Sequence, residues 1–165
     1  MIPTMINLLT QWADIGQFDL SCLKLLAYGG SPIAPEVIKR TRETLPRCRL
    51  LQGYGMTETS PMLTVLDDAD HAGQRLLSCG RPALGVELAI VDAEGKGVPA
   101  GTAGEIVARG ANVMRGYWRQ PETTREAFLN GEVGGWLRTG DIGYQDEDGF
   151  VYHVDRRKDM IVSGG

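Results

Sequence analysis

Apolar residues in the first third of the chain recur in two patterns, helical spacing and short continuous runs. The helical spacing predicts one helix from Pro3 to about residue 13, and a second that begins at Pro35 and ends before Pro46. The continuous runs 23–28 and 49–52 predict two buried strands, each followed by glycine. Helices between short apolar strands favour a partial parallel α/β sheet, in which ligands bind at the carboxyl ends of strands.

Beyond about residue 66 the pattern changes to short segments that alternate apolar and polar positions. Three such segments predict strands: 86–91, 105–109 and 150–154. A short helix is predicted from Pro121 to Phe128. These elements are typical of a small antiparallel sheet or barrel.

The polar stretch 67–74 has no clear period, and we place a domain boundary there. The predicted fold class is therefore α/β followed by mostly antiparallel β: a partial parallel sheet over 1–66 and a β-barrel-like unit over 67–158.

Composition limits the function classes. The 165 residues are 42% hydrophobic and 23% charged, as in ordinary globular domains. A net charge of −4 argues against a nucleic-acid partner, and no apolar run approaches the ~20 residues of a transmembrane segment. Three cysteines without a C-x-x-C pair predict reduced thiols and a cytoplasmic protein. The 22 glycines are spread along the chain, as close turns and backbone approaches to a ligand require.

The strongest chemical signal is Gly53-Tyr54-Gly55-Met56-Thr57-Glu58, directly after a predicted strand. Glycines on both sides of Tyr54 let the backbone approach a flat ligand while the ring lies against it. The Thr57 hydroxyl can donate to a phosphate oxygen, and Glu58 offers a hard oxygen ligand for Mg²⁺. A plain strand-to-loop turn with a surface glutamate is the alternative.

Three weaker signals accompany this hexapeptide. Asp141, in Thr139-Gly140-Asp141, could accept hydrogen bonds from both hydroxyls of a ribose, although the tripeptide is also common turn chemistry. The charged run 155–159 is ordinarily a solvated face, and the run 28–32 is ordinarily a turn after a strand. His71 and His153 have no metal-spaced partners, and we assign them no chemical role.

Together, in this order and spacing, these segments resemble the adenylate-forming acyl-CoA synthetase family, which includes fatty-acid and aryl-CoA ligases, firefly-type luciferases and peptide-synthetase adenylation domains. The resemblance continues through Gly104-Glu105-Ile106, Gly116-Tyr117-Trp118 and the run 155–161. Within the family the sequence looks most like bacterial medium- or long-chain fatty-acid CoA ligases.

The resemblance implies a role for each matching residue. Ten positions would bind the nucleotide or border its site: Gly29, Gly30, Ser31, Pro32, Gly53, Tyr54, Gly55, Met56, Asp141 and Arg156. Among them, Tyr54 would stack on adenine, Met56 would border the acid pocket, and Asp141 would hold the ribose. Thr57 would touch the α-phosphate, Glu58 would bind Mg²⁺, and both would act in catalysis. Lys158 would be the hinge to a C-terminal domain.

The implied activity is ATP-dependent ligation of a carboxylic acid, expected to be fatty, to coenzyme A, with release of AMP and pyrophosphate. ATP or AMP, Mg²⁺ and coenzyme A are the implied cofactors and co-substrates. The family's phosphate loop and catalytic C-terminal domain have no counterpart here, so we expect a piece of the large N-terminal domain, inactive alone, in which 159–165 begin the hinge.

Other readings stay open. The acyl acceptor could be a carrier protein, or the chain could be a non-catalytic module that binds nucleotide or dimerises. Exposed strand edges leave a homodimer open, and peripheral contact with a membrane is also open.

Overall fold

The computed structural model describes residues 1–156, with side chains up to Val154. They form two four-stranded sheets, ordered β1-β2-β3-β4 and β5-β6-β7-β8, with three short α-helices. Within this part of the chain, no helix has the length and apolar character needed to cross a membrane.

The first sheet contains the predicted parallel pair. Strands β1 (Leu25–Gly29) and β2 (Arg49–Tyr54) run parallel, with Leu26 opposite Leu50. Helices α1 (Pro3–Gln11) and α2 (Pro35–Thr44) pack against each other, and each has proline in its first turn. The core beneath them is formed by Ile6, Leu26, Tyr28, Ile33, Ile38, Leu45, Cys48 and Leu50. The predicted first helix is two residues too long, because the chain becomes extended at Trp12.

Two short strands that the sequence did not predict complete this sheet. Strand β3 (Thr64–Leu66) pairs antiparallel with β2, and β4 (Arg81–Pro82) pairs antiparallel with β3. The sheet is therefore mixed. Elements of three and two residues are too short to show a period of two.

The second sheet is antiparallel and curls into a half-barrel, as the predicted fold class required. Its strands are β5 (Val86–Val91), β6 (Gly104–Gly110), β7 (Leu137–Gln145) and β8 (Val151–Arg156). Helix α3 (Pro121–Glu126) lies between β6 and β7 in the chain.

Thr139-Gly140-Asp141, for which a turn was the alternative interpretation, lies inside the nine-residue strand β7 and is not a turn between elements. Gly140 has a φ of +74°, which L side chains rarely adopt. The pairing of β6 with β7 shifts register here, since Glu105 faces Ile142 while Val107 faces Arg138. The tripeptide is thus a β-bulge, a feature that re-aims side chains next to binding sites.

Backbone hydrogen bonds join the two sheets. The Cys79 N–H donates to the Val151 carbonyl over 2.7 Å, and the Val151 N–H donates to the Gly80 carbonyl over 2.9 Å. This junction sets β8 beside the segment that leads into β4. The predicted domain boundary at residues 67–74 stays a prediction. Strand β4, which follows this stretch in the chain, belongs to the first sheet.

Candidate functional site

A cavity of about 470 Å³ lies where β1 and β2 end, facing β7 and β8 of the second sheet. Seven residues of its lining are among the predicted site residues: Gly30, Ser31, Pro32, Gly53, Tyr54, Gly55 and Asp141. Seven others were not: Ile33, Gln52, Leu76, Leu77, Ser78, Cys79 and His153. The volume lies in the range of small-molecule sites, roughly 300–1,000 Å³.

Tyr54 and Asp141 meet in this cavity although 87 residues separate them in the chain. The Tyr54 hydroxyl donates to Asp141 Oδ2 over 2.7 Å. Burial, reinforced by the hydrogen bond to the carboxylate, raises the pKa of Tyr54, so the phenol stays a neutral donor. The bulge at Gly140 turns the carboxylate of Asp141 toward the first sheet, and Asp141 as a residue is 4% exposed.

His153 is a cavity residue that the sequence analysis missed. Its Nε2 lies 3.5 Å from Asp141 Oδ1, on the carboxylate oxygen that Tyr54 does not use, and its ring centroid is 6.3 Å from that of Tyr54. Alternation along β8 places its side chain on this face. Without knowledge of how β7 pairs with β8, no sequence signal identified it.

Cys79 adds a buried, weakly acidic thiol to the wall. Burial raises the pKa of its thiol to about 11, so it stays protonated at neutral pH. All three cysteines of the chain are free thiols, in agreement with the sequence prediction.

Gly55 allows a close backbone approach at the edge of the cavity. A Cβ at this position would collide with the Pro61 carbonyl oxygen and lie 2.9 Å from the Leu63 nitrogen. The Leu63 N–H donates to the Tyr54 carbonyl over 2.7 Å, which closes the loop 54–63 upon itself. The glycine thus sets the course of the chain into the turn that carries Thr57 and Glu58.

Thr57 and Glu58 lie on a 3₁₀ turn (Thr57–Thr59) and do not line the cavity. Glu58 Oε1 accepts a hydrogen bond of 2.9 Å from the Tyr117 hydroxyl, and the Met114 N–H donates to the Glu58 carbonyl over 2.7 Å. Met56, just before the turn, is also outside the cavity lining. Among the described residues, no three His, Cys, Asp or Glu side chains gather as a metal site.

Asn112 holds this turn in place from the loop that follows β6. Its Nδ2 donates to the carbonyls of Thr59 (2.9 Å) and Met62 (2.8 Å). We call Asn112, Met114 and Tyr117 the clamp, since all three bind the segment 58–62. The sequence analysis missed the clamp because its members contact residues 50 or more positions away.

The remaining predicted positions are placed as follows. Gly29 ends β1 opposite Gly53 and is not part of the cavity lining. The backbone of Arg156 pairs with that of Asp141 across β7 and β8. The predicted hinge at Lys158 lies outside the described residues.

A family model, described as AMP-binding enzyme, matches residues 1–118. The chain is 41% identical to a medium/long-chain-fatty-acid–CoA ligase, FadD8, of Mycobacterium tuberculosis, over all of this chain and 28% of the relative. It is 39% identical to a feruloyl-CoA synthase of an Amycolatopsis species, over 99% of this chain and 32% of the relative.

A solved structure gives the same result. The chain superposes with a TM-score of 0.85 and 32% identity on O-succinylbenzoate coenzyme A synthetase (MenE) from Bacillus subtilis in complex with ATP and magnesium ion, covering all of this chain and 32% of that one. The chain thus spans about a third or less of the length of these relatives. Since the family model covers well over half of its residues, this chain belongs to the AMP-binding enzyme family, alongside fatty-acid CoA ligases and related acyl-CoA synthetases.

Proposed function

We propose that this chain forms the adenosine-binding part of an ATP-dependent acyl-CoA ligase. In the first step a carboxylate oxygen of the acid attacks the α-phosphorus of ATP, which forms an acyl adenylate and releases pyrophosphate. In the second step the thiol of coenzyme A, losing its proton, attacks the acyl carbonyl and AMP leaves. Adenylation is required because a free carboxylate is a poor electrophile.

The convergence of Tyr54 and Asp141 on one cavity carries the proposal. A buried carboxylate can accept hydrogen bonds from both ribose hydroxyls, and such charge-assisted bonds are about twice as strong as neutral ones. The Tyr54 hydroxyl holds that carboxylate while its ring provides a flat surface for a base. Gly30, Ser31 and Pro32, which directly follow β1, also line this cavity and would border the base.

Thr57 and Glu58 would act on the phosphates, outside the adenosine cavity. The residues fit a Mg²⁺ ion that accompanies a nucleotide, because such an ion typically takes one or two carboxylates and fills its other positions with phosphate oxygens and water. When bound there, the ion would neutralise phosphate charge. The Tyr117 hydroxyl bonds only one oxygen of Glu58 in the described contacts, and it thereby orients the carboxylate.

A medium- or long-chain fatty acid is the acid we propose, on the strength of the similarity to the FadD8 ligase. The similarity to a feruloyl-CoA synthase supports an aryl acid as the alternative substrate class. We further propose a cytoplasmic location, with the thiols of Cys48 and Cys79 buried and reduced. Comparing decanoate, palmitate and ferulate as substrates of the complete protein separates the two acid classes.

The test is acid-dependent exchange of pyrophosphate into ATP by the complete protein. We expect D141N to lower kcat/KM for ATP by about a hundredfold, because the loss of a charged acceptor for two hydroxyls weakens both bonds. The control is D148N, which removes a carboxylate from an exposed ion pair with Arg75 and leaves the cavity unchanged. Exchange by D141N equal to that of D148N would refute the proposed adenosine site.

A further inference from the structure

His153 has no part in the proposed adenylation chemistry, although it lies in the cavity against the carboxylate that would hold the ribose. Its Nε2 is 3.5 Å from Asp141 Oδ1, and its side chain is 28% exposed, so solvent protons can reach the ring. The Tyr54 hydroxyl takes the other carboxylate oxygen, Oδ2, over 2.7 Å. The two oxygens of Asp141 thus meet two different groups, and the group at Oδ1 is one whose type changes charge near neutral pH.

The distance between His153 and Asp141 suits an ion pair better than a neutral hydrogen bond. Hydrogen bonds of the N–H···O type are ordinarily about 2.7–3.2 Å long, so a neutral imidazole 3.5 Å away leaves Oδ1 largely available to a ligand. A protonated imidazole attracts the carboxylate over the same distance, and the attraction is weakly screened because Asp141 is buried. The contact is therefore weak in one protonation state of His153 and strong in the other.

Four of the described residues that line the cavity carry groups that can titrate: Tyr54, Cys79, Asp141 and His153. Burial raises the pKa of the Tyr54 phenol and that of the Cys79 thiol, the latter to about 11, so both stay neutral near pH 7. Carboxylates ordinarily lose their proton below about pH 5, whereas imidazole titrates between about pH 5 and 8. Arginine stays charged throughout, so Arg156, whose side chain lies outside the described residues, supplies no titration in this range. The proton of His153 is therefore what changes the charge of this wall.

The charge of His153 changes what Asp141 offers to a ribose. A carboxylate with its full charge accepts strong, charge-assisted hydrogen bonds from two hydroxyls. An imidazolium beside Oδ1 offsets part of that charge and competes with a hydroxyl for the same lone pairs. The ribose then gains less from Asp141, whereas a base that lies against the Tyr54 ring keeps its contacts.

We propose that His153 is a positioning residue that controls, through its own proton, how strongly the cavity binds the ribose of a nucleotide. The neutral ring leaves Asp141 to the two hydroxyls, and the protonated ring draws the carboxylate into an ion pair and weakens binding. The effect is confined to sugars with a 2′,3′-diol, since only these use both carboxylate oxygens. This inference rests on the proposed function, because it assumes that Asp141 holds the ribose.

The first test measures the dissociation constant of adenosine, which has no phosphate to titrate, by calorimetry on the complete protein at about pH 8 and about pH 5.5. We expect adenosine to bind about tenfold more weakly at the lower pH, because both bonds to Asp141 lose charge assistance. The ligand 2′,3′-dideoxyadenosine, which has neither hydroxyl, should bind equally at the two pH values. H153Q has no group that titrates at this position, so it should bind adenosine equally at both pH values.

The matched control is H71Q, the same substitution at the other histidine of this chain, which lies outside the cavity lining. We expect H71Q to keep the difference between the two pH values. An adenosine affinity that does not fall at low pH in the unmodified protein, or that falls equally in H153Q and H71Q, would overturn the inference. Failure of both adenosine and AMP to bind the unmodified protein at about pH 8 would instead refute the proposed function.

The second test observes His153 itself in the unmodified protein. By linkage, a ligand whose binding is weakened by protonation of His153 must oppose that protonation to the same extent. In complete ¹⁵N-histidine-labelled protein, with the His153 signals assigned by their loss in H153Q, saturating adenosine should lower the pH at which the ring takes up its proton by about one unit. Dideoxyadenosine should leave that pH unchanged. An upward shift with adenosine, or equal shifts with both ligands, would overturn the inference.

Discussion

Asn112 offers a sharp test of how the loop after β6 controls the turn that carries Thr57 and Glu58. N112D keeps the shape of the side chain but replaces the Nδ2 donor with an oxygen. That oxygen would face the carbonyls of Thr59 and Met62, which now accept bonds of 2.9 and 2.8 Å. Two hydrogen bonds are lost and a carboxylate is set against two acceptors.

The magnitude follows from these contacts. Two hydrogen bonds contribute about 2 kcal/mol together, and a partly buried charge without a partner raises the cost to about 3–5 kcal/mol. N112A should cost less, about 1 kcal/mol, because it also removes Asn112 Oδ1, the one buried side-chain polar atom among the described residues that has no hydrogen-bond partner.

The matched control is N7D. Asn7 is also half-buried, but its Oδ1 accepts hydrogen bonds from Arg40 and Gln11, so an added negative charge faces a guanidinium. The assay is urea unfolding of the complete protein, together with pyrophosphate exchange. We expect N112D alone to lose both stability and exchange. If the free energies of unfolding of N112D and N7D lie within about 0.5 kcal/mol of each other, the clamp does not hold the turn.

Three further predictions concern the site and its surroundings. G55A should lower the free energy of unfolding by about 3 kcal/mol or more, measured in urea, because its Cβ would collide with the Pro61 carbonyl. The control is G97A, where a Cβ meets open space, and equal urea midpoints for the two variants would contradict this. E58Q should lower pyrophosphate exchange about a hundredfold at fixed Mg²⁺. The control E126Q, on α3, should leave the exchange rate unchanged. Equal rates for E58Q and E126Q would show that Glu58 does not act on the phosphates. Burial lowers the pKa of His71, so the unfolded chain takes up a proton below about pH 6.5 that the folded protein does not, and the free energy of unfolding should fall between pH 7 and 5. Titrating that free energy in H71Q should show a smaller fall, and an unchanged slope would mean that His71 is charged in the folded protein.

The sequence predicts well those elements that are long enough to show a hydrophobic period. Helix α2 has its limits marked by Pro35 and Pro46, and strand β5 alternates over six residues. Strands β3 and β4 are too short for this signal. Strand β7 was hidden because Gly140, in a left-handed conformation, looks like a turn residue but forms a bulge inside a continuous strand.

The site was predictable only in part, for a related reason. The meeting of Tyr54 with Asp141 follows from how two sheets pack, and it was expected from the family resemblance, not from the residues alone. Gln52 carried a usable signal, since it lies two positions before Tyr54 on one strand and must share its face. His153 and the clamp carried none, because strand register and loop packing decide their positions. The roles of Thr57 and Glu58 remain predictions.

The junction between the sheets has a thermodynamic consequence. The cavity takes Tyr54 from one sheet and Asp141 from the other, so a nucleotide that bridges them adds its binding energy to the bonds between Cys79, Gly80 and Val151. Nucleotide binding and the association of the two sheets are then thermodynamically linked, so that each stabilises the other. Slower deuterium uptake at the Val151 amide as AMP is added would report that linkage, because Val151 is not part of the cavity lining.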